Sequence, residues 1–365
     1  MALIKDIYSP TFYKKLANTL TKVLPSFSAD KFMLKIFSDD FGKMEWKVRM
    51  IHTARVLHEF MPTDFSEAAV KLEDIIQQLK TAHQQDTLAF IFLAEYISLY
   101  GLENFEAAKR ALVVVTQFIS CEFAVRPFLL KYPDQMLAEM LKWSLHENPS
   151  VRRLASEGSR PRLPWGAGVP SLKVNPKPIL PILENLKNDP SESVRRSVAN
   201  NLNDISKDHP DLVIQLAERW KGNTKETDAI LKHGLRTLLK QGHADVLKQY
   251  GLESGNVAVK DFKVLTPVVK IGDSLEFSFT LINENPTAHT VRLEYGIYYK
   301  KSKGHLARKV FKISEKVYPP NATVSINRKQ SFRLITTKVF YEGGHQISII
   351  VNGEEKELST FDLAL

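Results

Sequence analysis

The sequence holds a single cysteine, Cys121, in 365 residues. No intramolecular disulfide can form, and a cysteine-based zinc cluster is excluded. The apolar neighbours of Cys121 favour an inert core residue over an activated thiol. His-x-Glu and Cys-x-x-Cys patterns are missing, and His52 and His58 stand isolated, so no metal is expected. With no Gly-x-Gly-x-x-Gly or Walker pattern, no nucleotide cofactor is expected either. Long hydrophobic runs are also lacking. The most apolar stretch, residues 111–130, is broken by Glu122 and Arg126, which fails the requirement for a membrane span and predicts a buried helix. The opening MALIKDIYSP has no apolar run long enough for a secretory signal. Together these point to a cytoplasmic, reducing compartment.

What is present is ordinary in amount and basic in balance. Hydrophobic residues make up 44% and charged residues 25%, as in globular proteins. The length suggests two domains. The formal net charge is +9 and the pI about 9.3, which favours polyanionic partners such as nucleic acid or a membrane surface.

Up to about residue 250 the pattern is helix after helix. Apolar residues recur at three- and four-residue spacing in 12–24, 65–79, 87–100, 106–120, 134–146 and 230–240. Breakers such as Met61-Pro62-Thr63-Asp64, Asn148-Pro149-Ser150 and Asp189-Pro190-Ser191 separate the helices. In the last two, the serine after proline is placed to cap the next helix. One segment repeats: Val151-Arg152-Arg153 returns as Val194-Arg195-Arg196, 43 residues on. That period fits HEAT-like helical pairs, which stack into a solenoid because no pair buries its apolar face alone.

Near residue 255 the texture changes to short, alternating, β-branched runs: 257–259, 274–282, 291–299, 310–313, 323–326 and 345–351. Roughly seven strands fit an immunoglobulin-like β-sandwich. The expected division is therefore a HEAT-like helical domain at 1–255 and a β-sandwich at 256–365. The second part carries 16 Lys+Arg against 11 Asp+Glu, the first 34 against 30, so the small domain is the more basic for its size.

Four segments could carry chemistry. In Ser156-Glu157-Gly158-Ser159-Arg160-Pro161-Arg162-Leu163-Pro164-Trp165, glycine ends a helix and two prolines hold the chain extended. This is either a capped connector with Trp165 packed, or a stiff loop presenting guanidinium groups and an aromatic plane to a nucleotide. In the helix that follows Val194, Asn200, Asn201 and Asp204 share one stripe; they form a hydrogen-bonding surface or a helix end rich in capping residues. Glu122, in an apolar run, is either paired with Arg126 four residues on or functional. Residues 298–309 read as a hairpin whose tip, with Lys300, Lys301, Lys303, Arg308 and Lys309, is either solvated or touches phosphate.

The loop at 156–165 and the run Ser193-Val194-Arg195-Arg196-Ser197-Val198-Ala199-Asn200-Asn201-Leu202-Asn203-Asp204-Ile205-Ser206-Lys207-Asp208-His209-Pro210 resemble the AlkC family of bacterial alkylpurine DNA glycosylases. The looser similarity covers residues 1–250, and the tail resembles the immunoglobulin-like domain of part of that family. The resemblance implies an enzyme, without cofactor, that hydrolyses the N-glycosidic bond of 3-methyladenine, and of 3-methylcytosine as a second substrate, in duplex DNA. It implies action without full extrusion of the base, unlike the usual glycosylase strategy. The family's acidic and aromatic site positions fall on Glu122, Glu157, Asp204 and Trp165. DNA contacts are expected from Arg153, Arg160, Arg162, Arg195, Arg196, Lys207 and His209, and from the hairpin cations. A monomer acting on nucleoid DNA follows. The competing reading is a non-catalytic helical-repeat protein that binds damaged DNA or a protein partner.

Overall fold

A computed structural model describes residues 3–37, 40–82, 87–253, 255–334 and 339–364. The chain divides into two compact units, Met1–Gly234 and Leu235–Leu365. The division falls before the change from helix to strand at Val257.

The first unit is helical: α1 (Pro10–Val23), α2 (Ala29–Ile36), α3 (Trp46–His58), α4 (Phe65–Thr81), α5 (Ile91–Tyr100), α6 (Phe105–Thr116), α7 (Val125–Lys131), α8 (Pro133–Trp143), α9 (Pro149–Gly158), α10 (Pro170–Val174), α11 (Leu180–Leu186), α12 (Glu192–Ile205), α13 (Pro210–Trp220) and α14 (Lys225–Gly234). None of the described helices is long and apolar enough to cross a membrane. Two expected helices are interrupted. The apolar run at 111–130 leaves α6 after Thr116 and re-enters a helix only at Val125. Gln117 folds back to donate to Val113 O at 3.0 Å and closes α6. The run at 230–240 breaks between α14 and α15 (Arg236–Gln241). There Gly234 lets α14 approach α12, since a Cβ would sit 2.9 Å from that of Leu202.

α9, α12 and α14 pack side by side, with α12 between the other two. Both copies of the repeated sequence follow an Asn/Asp-Pro-Ser turn, whose first residue is the N-cap of α9 but lies two residues before the N-cap of α12. Asn148 Oδ1 accepts from Ser150 N, and Asp189 Oδ1 from Ser191 N, both at 2.8 Å. The residue before proline thus satisfies the free amide. The expected serine caps are not made, and Ser191 Oγ instead meets Ser193 Oγ at 2.9 Å. The first arginine of each triplet then ties down the preceding turn. Arg152 donates to His146 O and Glu147 O at 2.9 and 2.6 Å, and Arg195 to Asp189 O and Pro190 O at 2.7 and 2.8 Å.

The second unit begins with α15 and α16 (Ala244–Gln249) and continues as β1 (Val257–Val264), β2 (Val268–Lys270), β3 (Ser274–Asn283), β4 (His289–Lys300), β5 (Leu306–Tyr318), β6 (Thr323–Ser331), β7 (Gly343–Val351) and β8 (Glu354–Ala364). One sheet runs β1-β3-β6 and the other β2-β8-β7-β4-β5, with β2 parallel to β8. Alternate residues, including Phe277, Phe279, Leu293, Ile297, Ile347 and Phe361, form the buried core. β2 and β8 escape sequence patterning: one is three residues long, and the other opens Glu354-Glu355-Lys356-Glu357. Residues after Gly234 belong with the strands because the turn at Asn352-Gly353 holds them. Asn352 Nδ2 donates to Glu253 O at 2.7 Å, and a Cβ on Gly242 would meet Gly353 O at 2.7 Å.

Candidate active site

The site grows from the end of α9. A Cβ on Gly158 would lie 2.7 Å from Val125 Cγ1 and 3.1 Å from Met140 Cε, so only glycine lets the helix end this close to α7 and α8. Ser159 Oγ donates to Ala155 O at 2.7 Å and closes the last turn. The chain then runs as a loop, joined by Val169 N to Pro161 O at 3.3 Å.

At the root of this loop lies a buried ion network. Arg160 donates from Nε to Asp204 Oδ2 at 2.8 Å and from Nη1 to Glu157 Oε1 at 2.5 Å. Glu157 is 5% exposed, Arg160 6% and Asp204 2%. Burial works against the Arg160 charge, but its hydrogen bond to Asp204 and the two carboxylate charges outweigh it and raise its pKa. Glu157 Oε2 accepts from Ser197 Oγ at 2.6 Å, and Asp204 Oδ1 from Lys207 Nζ at 3.0 Å. Asn201, fully buried, donates to Ser156 O at 2.9 Å. The polar stripe of α12 is therefore split. Asn201 and Asp204 are buried, Asn201 against α9, while Asn200 Oδ1 meets His233 Nε2 of α14 at 3.1 Å.

Glu122 pairs with a different arginine from the one its spacing suggested. It accepts from Arg153 Nη1 at 2.9 Å and from Ser120 Oγ at 2.8 Å. Its side chain keeps 20% exposure, the most open of the three acids. Arg126 instead turns inward. It donates to Ala167 O at 2.7 Å, Gly158 O at 2.8 Å and Arg160 O at 2.7 Å. Burial, and after it the neighbouring Arg160 charge, pulls the Arg126 guanidinium down to about 10, still charged at neutral pH.

Trp165 stands 68% exposed on the loop. Its backbone is left-handed, at φ +63°. The rings of Trp165 and Trp46 are 6.1 Å apart, and Lys47 Nζ donates to Trp165 O while lying 5.7 Å over the Phe123 ring. These contacts bring the start of α3 to the loop.

The other expected residues are distributed as follows. Arg162 holds Asp208 through two nitrogens, at 2.6 and 3.2 Å. His209 Nε2 meets Lys173 O at 2.7 Å. Arg195 is engaged in its helix lock, and exposed Arg196 pairs with Glu192 at 2.5 Å. Lys300, Lys301, Lys303, Arg308 and Lys309 belong to the other unit, where β4 and β5 form the expected hairpin with Lys301 N bonded to His305 O at 2.9 Å. Lys300 donates to Glu342 O, Arg308 lies 3.5 Å from Glu355, and Lys309 covers the Phe311 ring. Cys121 is fully buried, and burial pushes its thiol up, which fits an inert core residue.

Sequence patterning had not singled out Trp46, Lys47, Phe123 and Ser197, and it paired Arg126 with the wrong partner. Lys47 lies 118 residues from Trp165 in sequence, and no local pattern reports a contact of that range. Ser197 was legible in principle, since a serine within the helix stripe facing a glutamate repays attention.

A protein-family model described as "DNA alkylation repair enzyme" matches residues 114–238. A second, described as the C-terminal Ig-like domain of the uncharacterised protein YhaZ, matches residues 258–365. The uncharacterized protein YhaZ of Bacillus subtilis strain 168 is 42% identical over 364 residues, covering all of both chains. Among solved structures, the alkylpurine DNA glycosylase AlkC of Pseudomonas fluorescens, bound to DNA containing an abasic site analog, is 35% identical with a TM-score of 0.93. It covers 100% of both chains.

Proposed function

The chain belongs to the AlkC family of alkylpurine DNA glycosylases, and from that membership we propose that it excises 3-methyladenine and 3-methylcytosine from duplex DNA as a monomer in the bacterial cytoplasm. In this reading residues 1–255 carry the chemistry and the basic hairpin of residues 256–365 grips phosphate. The observation that carries it is the pair of buried carboxylates, Glu157 and Asp204, held on either side of Arg160 on the loop that presents Trp165.

The chemistry follows from the substrate. A base methylated at N3 is already cationic and leaves without a general acid. As the bond breaks, the deoxyribose becomes oxocarbenium-like, and carboxylates stabilise it and orient water. At an effective dielectric of 20, a charge pair at 4 Å is worth about 4 kcal/mol, of which only the part gained beyond the ground state accelerates the reaction. Glu122, the most open of the acids, suits the water; Glu157 and Asp204 supply fixed negative charge. Two of the cations that balance these acids, Arg153 and Lys207, are 31% and 38% exposed in their side chains. Backbone phosphates can draw them away, which leaves the carboxylates more negative once DNA is bound. Arg162, Arg195, Arg196 and His209 complete the proposed contacts on this side, whereas Arg160, 6% exposed and held between Glu157 and Asp204, serves the ion network and not the DNA. Trp165 offers an open ring face and not the wall of an enclosed pocket, which supports action on a base that stays within the helix.

The test is release of bases from methylated duplex DNA, resolved by mass. Wild type is expected to release both bases, and Glu157→Gln to lose about 100-fold or more in rate with DNA affinity unchanged. Wild-type protein that binds the same DNA in a salt-sensitive manner but releases no base would instead be a non-catalytic binder of damaged DNA.

A further inference from the structure

Arg126 is the most deeply placed cation of the first unit, 1% exposed, and it makes no ion pair among the described residues. A buried guanidinium without a carboxylate is costly unless its hydrogen bonds do something specific. Here they converge from one rigid fork on three carbonyls: Gly158, where α9 ends; Arg160, between the two buried acids; and Ala167, two residues beyond Trp165. One side chain therefore ties the outgoing and returning strands of the loop together. Its remaining nitrogen, Nη2, is buried with no partner among the described residues, so the geometry serves the three carbonyls at the expense of full satisfaction.

We propose that Arg126 is a positioning residue: its guanidinium clamps both ends of the loop at 158–167 and so sets where Trp165 and Arg160 stand relative to the substrate. This rests on the glycosylase reading for its rate consequence, though not for the clamp itself. Lysine cannot replace the clamp, because a single ammonium lacks the planar fork that spans three acceptors. The residue touches no reacting atom. It acts through the loop, where a displacement of about 1 Å costs on the order of 100-fold in rate.

Arg126→Lys and Arg126→Met, made in the full chain, test this through three readouts. Single-turnover excision of 3-methyladenine is measured at saturating protein, affinity on a duplex with an abasic-site analogue, and acrylamide quenching of Trp165 as the difference from Trp165→Phe. The expected result is an excision rate lower by about 100-fold, unchanged affinity, and greater quenching of Trp165, in both variants. Wild-type rates per folded molecule in either variant overturn the proposal. So does failure of both variants to fold, which would make Arg126 a plain structural residue. If wild type itself releases no base, the glycosylase reading fails alone; unchanged quenching in the variants would still overturn the clamp, and increased quenching would still support it.

Discussion

The two copies of the repeated helix start alike and end differently. Each is preceded by an Asn or Asp side chain that accepts from the amide two residues ahead, at the N-cap in α9 and two residues before it in α12, and each uses the first arginine of Val-Arg-Arg to hold the preceding turn. α9 then stops after ten residues at Gly158, whereas α12 runs for fourteen, to Ile205. The early stop frees residues 159–169 to form the loop with Arg160 and Trp165. The longer copy supplies partners for the last turn of α9 and for the loop: Ser197 for Glu157, Asn201 for Ser156 and Asp204 for Arg160. The candidate site lies where a helix of ten residues ends beside one of fourteen. Asp189 adds a further asymmetry. It begins the second copy and also accepts both forks of Arg152 from the first, at 2.5 and 3.0 Å.

The largest effect should come where the copies meet. Arg160→Met leaves Glu157 and Asp204 buried without their shared cation, and should destabilise the fold by about 3–5 kcal/mol; urea denaturation measures it. A loss no greater than that of an exposed arginine such as Arg196 would break the claim that the two helices are joined through this network. Next comes the lock itself. Arg152→Ala should cost about 3 kcal/mol and Arg195→Ala about 1.5, since only the first also pairs with the Asp189 carboxylate while the second reaches only its backbone carbonyl; a double-mutant cycle with Asp189→Ala isolates that difference. Equal losses would make the copies energetically equivalent. The smallest effect concerns the helix starts: Asn148→Ala should cost about 1 kcal/mol and Ser150→Ala almost nothing, by thermal melting.

Much of this organisation was legible. The Val-Arg-Arg recurrence, the change of texture near residue 255 and the odd richness of Gly, Pro and Arg at 156–165 located the repeat, the second fold type and the loop. The four candidate catalytic residues fall into two contact groups. Glu157 and Asp204 share Arg160, whose loop also carries Trp165, and Glu122 pairs with Arg153. What could not be read was partner choice. Spacing of four offered Arg126 to Glu122, but it holds only inside a continuous helix, and the chain is turning at 117–124. Cap identity failed for a similar local reason: Asn and Asp before proline reach the free amide first.

Trp165 has one further meaning. A bulky residue at φ +63° is held in a conformation that costs on the order of 1–3 kcal/mol, and glycine or asparagine would relieve it. Selection for heat survival alone should therefore drift away from tryptophan at this position, while selection for survival of methylating agents should hold it there. Random libraries of this gene, split between those two pressures, would diverge first at residue 165.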